Sequence, residues 1–215
     1  MRIGIGLDVH PFKRGRACVL GGVTIPYEKG LDGHSDADVC IHALIDALLS
    51  ACRLDDIGAY FPPTDPSLTG ISSLVLLEKV AALVRTHGFE IVDCDLVIAA
   101  DAPRISPHRS AMRAAMAAAL SIDVEQIGIK ATTCEGLGFV GRREGIVAQA
   151  VALLDKAAEA ASAAPVLSTC PTSAPAASAP ETPAPAVMSS APAQPVETPT
   201  AQDSARTSTT HTPDH

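Results

Sequence analysis

The sequence predicts an α+β fold: one two-layer sandwich domain, with a mixed β-sheet and helices packed on one of its faces. Three observations predict it. Strand-period and helix-period apolar patterns alternate irregularly between Arg2 and Lys156, as a mixed sheet with helices on one side requires. That patterning stops near Lys156, which leaves a single domain of ordinary size. No internal repeat stands out, and no apolar run is long enough to span a bilayer.

The first strand covers Arg2 to His10. Ile3, Ile5 and Leu7 point to one face, while Gly4, Gly6, Asp8 and His10 point to the other. Ala17 to Ile25 reads as a hairpin turning on Gly21-Gly22. Gly30 to Ser35 is a glycine-punctuated loop, and Asp36 to Ser50 a helix with Asp38, His42 and Asp46 on one stripe, opposite Ile41, Leu44 and Leu48. Gly58 to Gly70, with Pro62-Pro63 and Asp65-Pro66, is a long loop, a kind of segment that commonly carries function. Ser72 to His87 is a second amphipathic helix, stopped by Gly88. Val92, Cys94, Leu96 and Ile98 alternate as a strand, and Ser106-Pro107 reads as the N-cap and first residue of a helix running to Leu120. Ile127 to Ala131 is a short buried strand ahead of a Gly-rich loop, Gly136 to Gly141. The Ala-rich run Glu144 to Lys156 reads as the last helix.

From Ala157 to His215 the chain is almost entirely Ala, Pro, Ser and Thr, with no aromatic residue. Such a stretch cannot bury enough apolar area to offset its ordering entropy, so the expected organisation is a folded domain over 1–156 and a disordered tail over 157–215. With 24 acidic against 16 basic residues and no Trp, the chain shows neither a basic nucleic-acid footprint nor a base-stacking surface. Cys18, Cys40, Cys52, Cys94, Cys134 and Cys170 lack CxxC spacing, which suits free thiols in a reducing compartment. A strand beginning at residue 2 leaves no room for a leader peptide. The expected location is the cytoplasm.

Chemistry concentrates at Asp8-Val9-His10. Same-face strand residues sit about 7 Å apart, so Asp8 and His10 can close on one ion. His42 on the helix would complete two imidazoles and a carboxylate with one position open, the way catalytic zinc is held. On Asp-x-His alone the plain reading is a strand end with two solvent-facing polar residues.

The ordered set of motifs is specific. Asp8-Val-His10, Asp32-Gly-His-Ser-Asp-Ala-Asp38, His42-x-x-x-Asp46, Asp56-Ile-Gly58, Phe61-Pro62, Lys130-Ala-Thr-Thr133 and Glu135-x-Leu-Gly-Phe139 follow one another without obvious gaps. Together they resemble the 2-C-methyl-D-erythritol 2,4-cyclodiphosphate synthase family from Arg2 to about Leu154. The resemblance implies a cyclising phosphorus–oxygen lyase of the non-mevalonate isoprenoid pathway. Its substrate would be 4-diphosphocytidyl-2-C-methyl-D-erythritol 2-phosphate, whose 2-phosphate attacks its own β-phosphate and releases CMP.

Residue by residue, the resemblance implies Zn2+ on Asp8, His10 and His42, and Mg2+ or Mn2+ associated with Glu135. Asp46, one turn after His42, reads by spacing either as the partner of a plain helix histidine or as support that orients the imidazole of a ligand. His34 and Thr133 would stabilise charge during transfer. Val9, His34 and Ser35 would meet phosphate and polyol. Asp56, Ile57, Gly58 and the loop Phe61, Pro62, Pro63, Thr64, Asp65 would hold the erythritol hydroxyls. Cytosine would be read by backbone groups of Ala100, Asp101, Ala102, Pro103, Arg104, Ile105 and Ser106 with Ala131, Thr132 and Thr133. Cys134, Phe139 and Arg142 complete the substrate set.

The family also implies a homotrimer with active sites between subunits and a central cavity suited to an isoprenoid diphosphate. Four positions depart from its pattern. Pro63 stands where Asp is usual, Arg104 where Lys is usual, Leu74 where Arg is common, and Cys134 replaces the third Thr. Two other readings stay open on the residues: a zinc phosphoesterase, and a binding module without turnover.

Overall fold

Alternation of small and large residues builds the first strand and decides which face is covered. β1 spans Arg2–Arg14, longer than expected, and its Gly4 and Gly6 lie beneath a helix. A Cβ on Gly4 would run into the carbonyl of Ala47, and one on Gly6 into that of Ala43. Glycine here permits a helix–sheet approach that no other residue allows.

The structure, a computed structural model, describes residues 1–157. After β1 come β2 (Cys18–Leu20) and β3 (Val23–Ile25), a separate hairpin turning on Gly21 and Gly22. β4 (Lys29–Leu31) pairs antiparallel with the end of β1, where the sequence predicts only loop. Helix α1 (Val39–Cys52) and a single turn, α2 (Ile57–Tyr60), follow, then α3 (Ser73–Thr86) and β5 (Phe89–Ala99). α4 (Arg109–Leu120), β6 (Ile127–Thr132), the short α5 (Gly138–Gly141) and β7 (Gly145–Lys156) complete the described chain.

The main sheet has five strands in the order β4-β1-β7-β5-β6, with β5 and β6 parallel and the other pairs antiparallel. α1 packs on β1 and β7, α3 packs on α1, and α4 packs on α3 and β6. This is the expected α+β architecture, a mixed sheet with helices on one face. Eleven of the fourteen residues of α1 are buried, so this helix is the centre of the core rather than an amphipathic cover.

The largest correction is β7. Its Ala-rich sequence has high helix propensity, and the expected last helix over 144–156 is instead a long strand paired with both β1 and β5. The burial period is two: Ile146, Ala148, Ala150, Ala152 and Leu154 are all buried beneath the helices. Alanine is used here for size, because α1 lies close over the strand. Tertiary packing overrides propensity.

Smaller differences have local causes. The helix expected from Asp36 starts only at Val39, because Ala37 takes a left-handed φ of 60° and the Asp38 side chain caps the helix, accepting from Cys40 and Ile41 N–H. Asp38 is therefore buried, not part of an open polar stripe. Ser106 makes no side-chain cap; a 3-10 turn over Ser106–His108 precedes α4. A bulge between Ile91 and Asp93 takes Val92 off the buried face of Cys94, Leu96 and Ile98. Cys18, Cys40, Cys52 and Cys94 are buried free thiols, and Cys134 is half-buried and free.

Two features bear on what the molecule does. The sheet face away from the helices is apolar and open: Ile3 is 65% exposed and Leu7 61%, with Ile5, Val9, Val97 and Val151 beside them. Among the described residues, no helix is long and apolar enough to cross a membrane. The expected tail lies, from residue 158 on, outside the described residues, as does Cys170.

Candidate active site

Asp8 and His10 leave the same face of β1 beyond the glycines, where α1 presents His42. Asp8 Oδ2, His10 Nε2 and His42 Nδ1 converge at 3.0–3.1 Å from one another. Tetrahedral zinc, with bonds of about 2.0–2.2 Å, holds its ligand atoms ~3.3 Å apart, so small outward movements suffice to seat such an ion. The donors suit one. His10 Nδ1–H donates to the Asp32 carbonyl at 2.6 Å, which turns the Nε2 lone pair inward. Two imidazoles and a carboxylate aimed at one point repel unless a cation or proton lies between them, and this group can hold a metal ion.

The electrostatics agree. Burial alone would raise the Asp8 carboxyl, but hydrogen bonds from His10 and His42 and their charges hold it well below the usual carboxylate range. Burial would lower His10, yet its hydrogen bond to Asp8 and the Asp8 charge raise it.

A cavity of about 240 Å³ opens beside the three ligand atoms. Asp8, His10, His34, Ser35 and His42 supply its polar wall, while Ile57, Gly58, Phe61, Pro63, Leu68, Ile71 and Leu76 supply the rest. The α1–α3 connection, read from sequence as a functional loop, thus wraps the metal group. Asp56 is the N-cap of α2, accepting from Ala59 N–H at 3.1 Å. Asp65 accepts from Ser67 N–H at 2.9 Å, and its carbonyl lies 3.2 Å from His34 Nε2. Thr64 lies between Pro63 and Asp65 and is exposed.

Asp46 corrects an expectation. It does not orient the His42 ring; its Oδ1 accepts the Ile57 N–H at 2.8 Å and so fixes the start of α2, while burial raises its pKa. His42 Nε2 instead faces two hydroxyls, Ser35 Oγ at 3.1 Å and Ser73 Oγ at 3.0 Å. Ser73 had no signal in the sequence beyond opening a helix. Arg16 was also missed: its guanidinium donates to the carbonyls of Gly33 and Ser35, holding the backbone on both sides of His34.

The remaining site residues gather elsewhere. Ala100 to Ser106, with Ala131, Thr132 and Thr133, line a second cavity of about 420 Å³. The two cavities share no lining residue. Asp101 accepts the N–H groups of Cys134 and Gly136, so its side chain braces the loop after β6. The Thr133 hydroxyl donates to Glu135 Oε1, and Glu135 sits at a left-handed φ of 51° outside the Asp8–His10–His42 group. Arg142 is exposed and forms a two-pronged pair with Glu144 at 2.9 and 3.0 Å, while Phe139 is part-exposed on α5.

Known proteins resemble this chain in sequence and fold. The YgbB family pattern matches residues 1–155. The 2-C-methyl-D-erythritol 2,4-cyclodiphosphate synthase of Chloroherpeton thalassium is 53% identical over 156 residues, covering 73% of this chain and 99% of the relative. The enzyme of that name from Moorella thermoacetica is 58% identical over 154 residues, covering 72% and 94%. Among solved structures, a CDP-bound 2C-methyl-D-erythritol-2,4-cyclodiphosphate synthase superposes with a TM-score of 0.66 at 40% identity, over 72% of this chain and 100% of its own. The bifunctional IspDF of Campylobacter jejuni gives 0.70 at 39% identity, over 72% of this chain; the match spans only 42% of that longer protein. On a family pattern covering essentially all described residues, with relatives above half identity along nearly their full lengths, the chain belongs to the YgbB family.

Proposed function

We propose that this chain converts 4-diphosphocytidyl-2-C-methyl-D-erythritol 2-phosphate to 2-C-methyl-D-erythritol 2,4-cyclodiphosphate and CMP, as a cytoplasmic homotrimer. The observation that carries the reading is the convergence of Asp8, His10 and His42 beside the loop that family resemblance assigns to the polyol. The 2-phosphate oxygen forms a bond to the β-phosphorus while the bond to the CMP phosphate breaks, and the leaving oxygen departs with the CMP. Both reacting groups are anionic, so the enzyme must position them in line and neutralise their charge.

Asp8, His10 and His42 would hold Zn2+, which when bound supplies Lewis-acid polarisation of a phosphoryl oxygen. Glu135 would hold Mg2+ or Mn2+ against the diphosphate. The protein's own part is distributed around these groups. His34 and Ser35 offer donors at the mouth of the metal cavity, and Thr133 offers a hydroxyl on the opposite side of the diphosphate. Ile57 and Gly58 with the loop through Pro63 enclose the erythritol, and backbone groups of 100–106 and 131–133 read the cytosine edge. Arg142 would reach phosphate only by exchanging its Glu144 partner.

Two observations support the trimer. The metal cavity and the cytosine-loop cavity have no residue in common, as halves of a composite site would. The open face of Ile3, Ile5, Leu7, Val97 and Val151 is an apolar patch that water disfavours and neighbouring subunits would cover, enclosing an axial space suited to an isoprenoid diphosphate.

The test is incubation of the full chain with the diphosphocytidyl substrate, Zn2+ and Mg2+. The expected products are CMP and the cyclic diphosphate in equal amounts. Release of inorganic phosphate would make the protein a phosphoesterase, and zinc binding without turnover would make it a binding module.

A further inference from the structure

Three hydroxyl and carboxylate groups behind His42 settle which of its ring nitrogens carries the proton, provided the hydrogens are counted. Ser73 Oγ and Ser35 Oγ both approach Nε2, at 3.0 and 3.1 Å. Ser73 is fully buried at the start of α3, and its hydroxyl and its backbone N–H both donate to the Asp36 carboxylate, the latter at 2.9 Å. Asp36 also accepts the Asp38 N–H at 3.2 Å. With its only proton committed to a carboxylate, Ser73 Oγ can meet Nε2 solely as an acceptor. The proton between them must belong to His42 Nε2.

We infer that Asp36 and Ser73 form a positioning relay that holds His42 in its Nε2–H tautomer, keeping the Nδ1 lone pair on the metal point. The inference rests on the metal-assisted reading above and adds Ser73 and Asp36 to it. It also assigns Ser35. Its Oγ already accepts the Ala37 N–H at 3.1 Å, and the relay relieves it of fixing the imidazole. The Ser35 proton is then free to point into the cavity that Ser35 lines, where an anionic phosphate would take it.

Carboxylate and hydroxyl partners of metal-bound histidines typically change metal affinity 10–100-fold when removed. The relay converts a generic buried serine into one whose loss weakens the ion without removing any ligand. No sequence spacing announces it, because Asp36 and Ser73 are joined only where the loop before α1 meets the start of α3.

The experiment reads the tautomer and the affinity separately. In metal-free wild-type protein, imidazole nitrogen NMR should show His42 Nε2 protonated, whether or not Nδ1, which faces the Asp8 carboxylate at 3.1 Å, shares a proton with it. A bare Nε2 with the proton on Nδ1 alone would overturn the relay without any mutant. Zn2+ and Co2+ affinities, measured by competition with a chromophoric chelator, should fall 10–100-fold in Ser73→Ala. The His42 signals should shift toward the Nδ1–H form, since Ser35 is then the remaining partner and can donate. Ser35→Ala should keep both the tautomer and most of the affinity. If instead Ser35→Ala lost the metal while Ser73→Ala kept it, Ser35 would be the orienting acceptor and the inference would be wrong. Absence of metal binding by wild-type protein would overturn the metal reading itself, whatever the tautomer.

Discussion

Pro63 lines the cavity beside Asp8, His10 and His42, at the position where the resemblance read from the sequence leads one to expect an aspartate. A proline ring offers a polyol hydroxyl no acceptor, and a buried hydroxyl without a partner costs about 1–3 kcal/mol. Pro63→Asp should therefore lower KM for the diphosphocytidyl substrate, with a smaller change in kcat, in steady-state CMP-release kinetics; an unchanged or higher KM would show that the loop already compensates. The metal ligands make the opposite kind of test. Three protein ligands leave no redundancy, so Asp8→Ala and His42→Ala should each lose bound zinc and turnover together. Metal content by elemental analysis checks this, and full occupancy in either variant would refute the assignment.

At the scale of elements, Asp38 does what neither of its neighbours in sequence can. Its buried carboxylate accepts from Gly21 and Gly22 in the β2–β3 turn and from Cys40 and Ile41 at the start of α1. One side chain thus ties a hairpin to the helix that carries His42. Burial pushes it up to about 6, against the pull of those amide donors. Asp38→Asn keeps the shape but turns an NH2 toward at least one of the four N–H groups. An unsatisfied buried donor costs about 1–3 kcal/mol, and each kcal/mol lowers Tm by roughly 2–4 °C in a chain of this size. Thermal unfolding should show that loss, while the Asp8–His10–His42 geometry survives in whatever fraction stays folded. The packing of α1 on β1 makes a sharper case, because Gly6→Val has no room beside Ala43 and Ala47 and should abolish folding.

For the whole molecule, the question is whether one chain suffices. The cavity around His42 and the cavity around Thr133 share no lining residue, and the apolar sheet face lies open. If neighbouring subunits complete each site, mixing His42→Ala chains with Thr133→Val chains should restore part of the activity that each lacks alone. Turnover by a demonstrated monomer would refute the composite site. Composition also predicts that the chain beyond the domain contributes nothing to it, since Ala, Pro, Ser and Thr without apolar periodicity have no core to join. Truncation after Ala160 should leave Tm, zinc content and turnover unchanged.

Residue identity alone determined a good deal. The alternation from Arg2 to His10 placed Asp8 and His10 on one side of a strand, and the four-residue rhythm of the following helix placed His42 on the facing stripe. The fold class followed from irregular alternation of two periods, and the ordered motifs identified the family and with it the expected chemistry. These signals are local, and local signals survive in sequence. Tertiary structure decided the rest, because the rest depends on what lies across the core. Gly145–Lys156 reads as helix by propensity and is a strand because it pairs with both β1 and β5, with Ala148, Ala150 and Ala152 keeping its middle thin beneath α1. Asp46 shares the stripe of His42, yet it serves Ile57, and the hydroxyl that meets the imidazole arrives from Ser73 at the start of another helix. A chain lists its donors and acceptors, but which of them pair is settled only when the core brings them within 3 Å of each other.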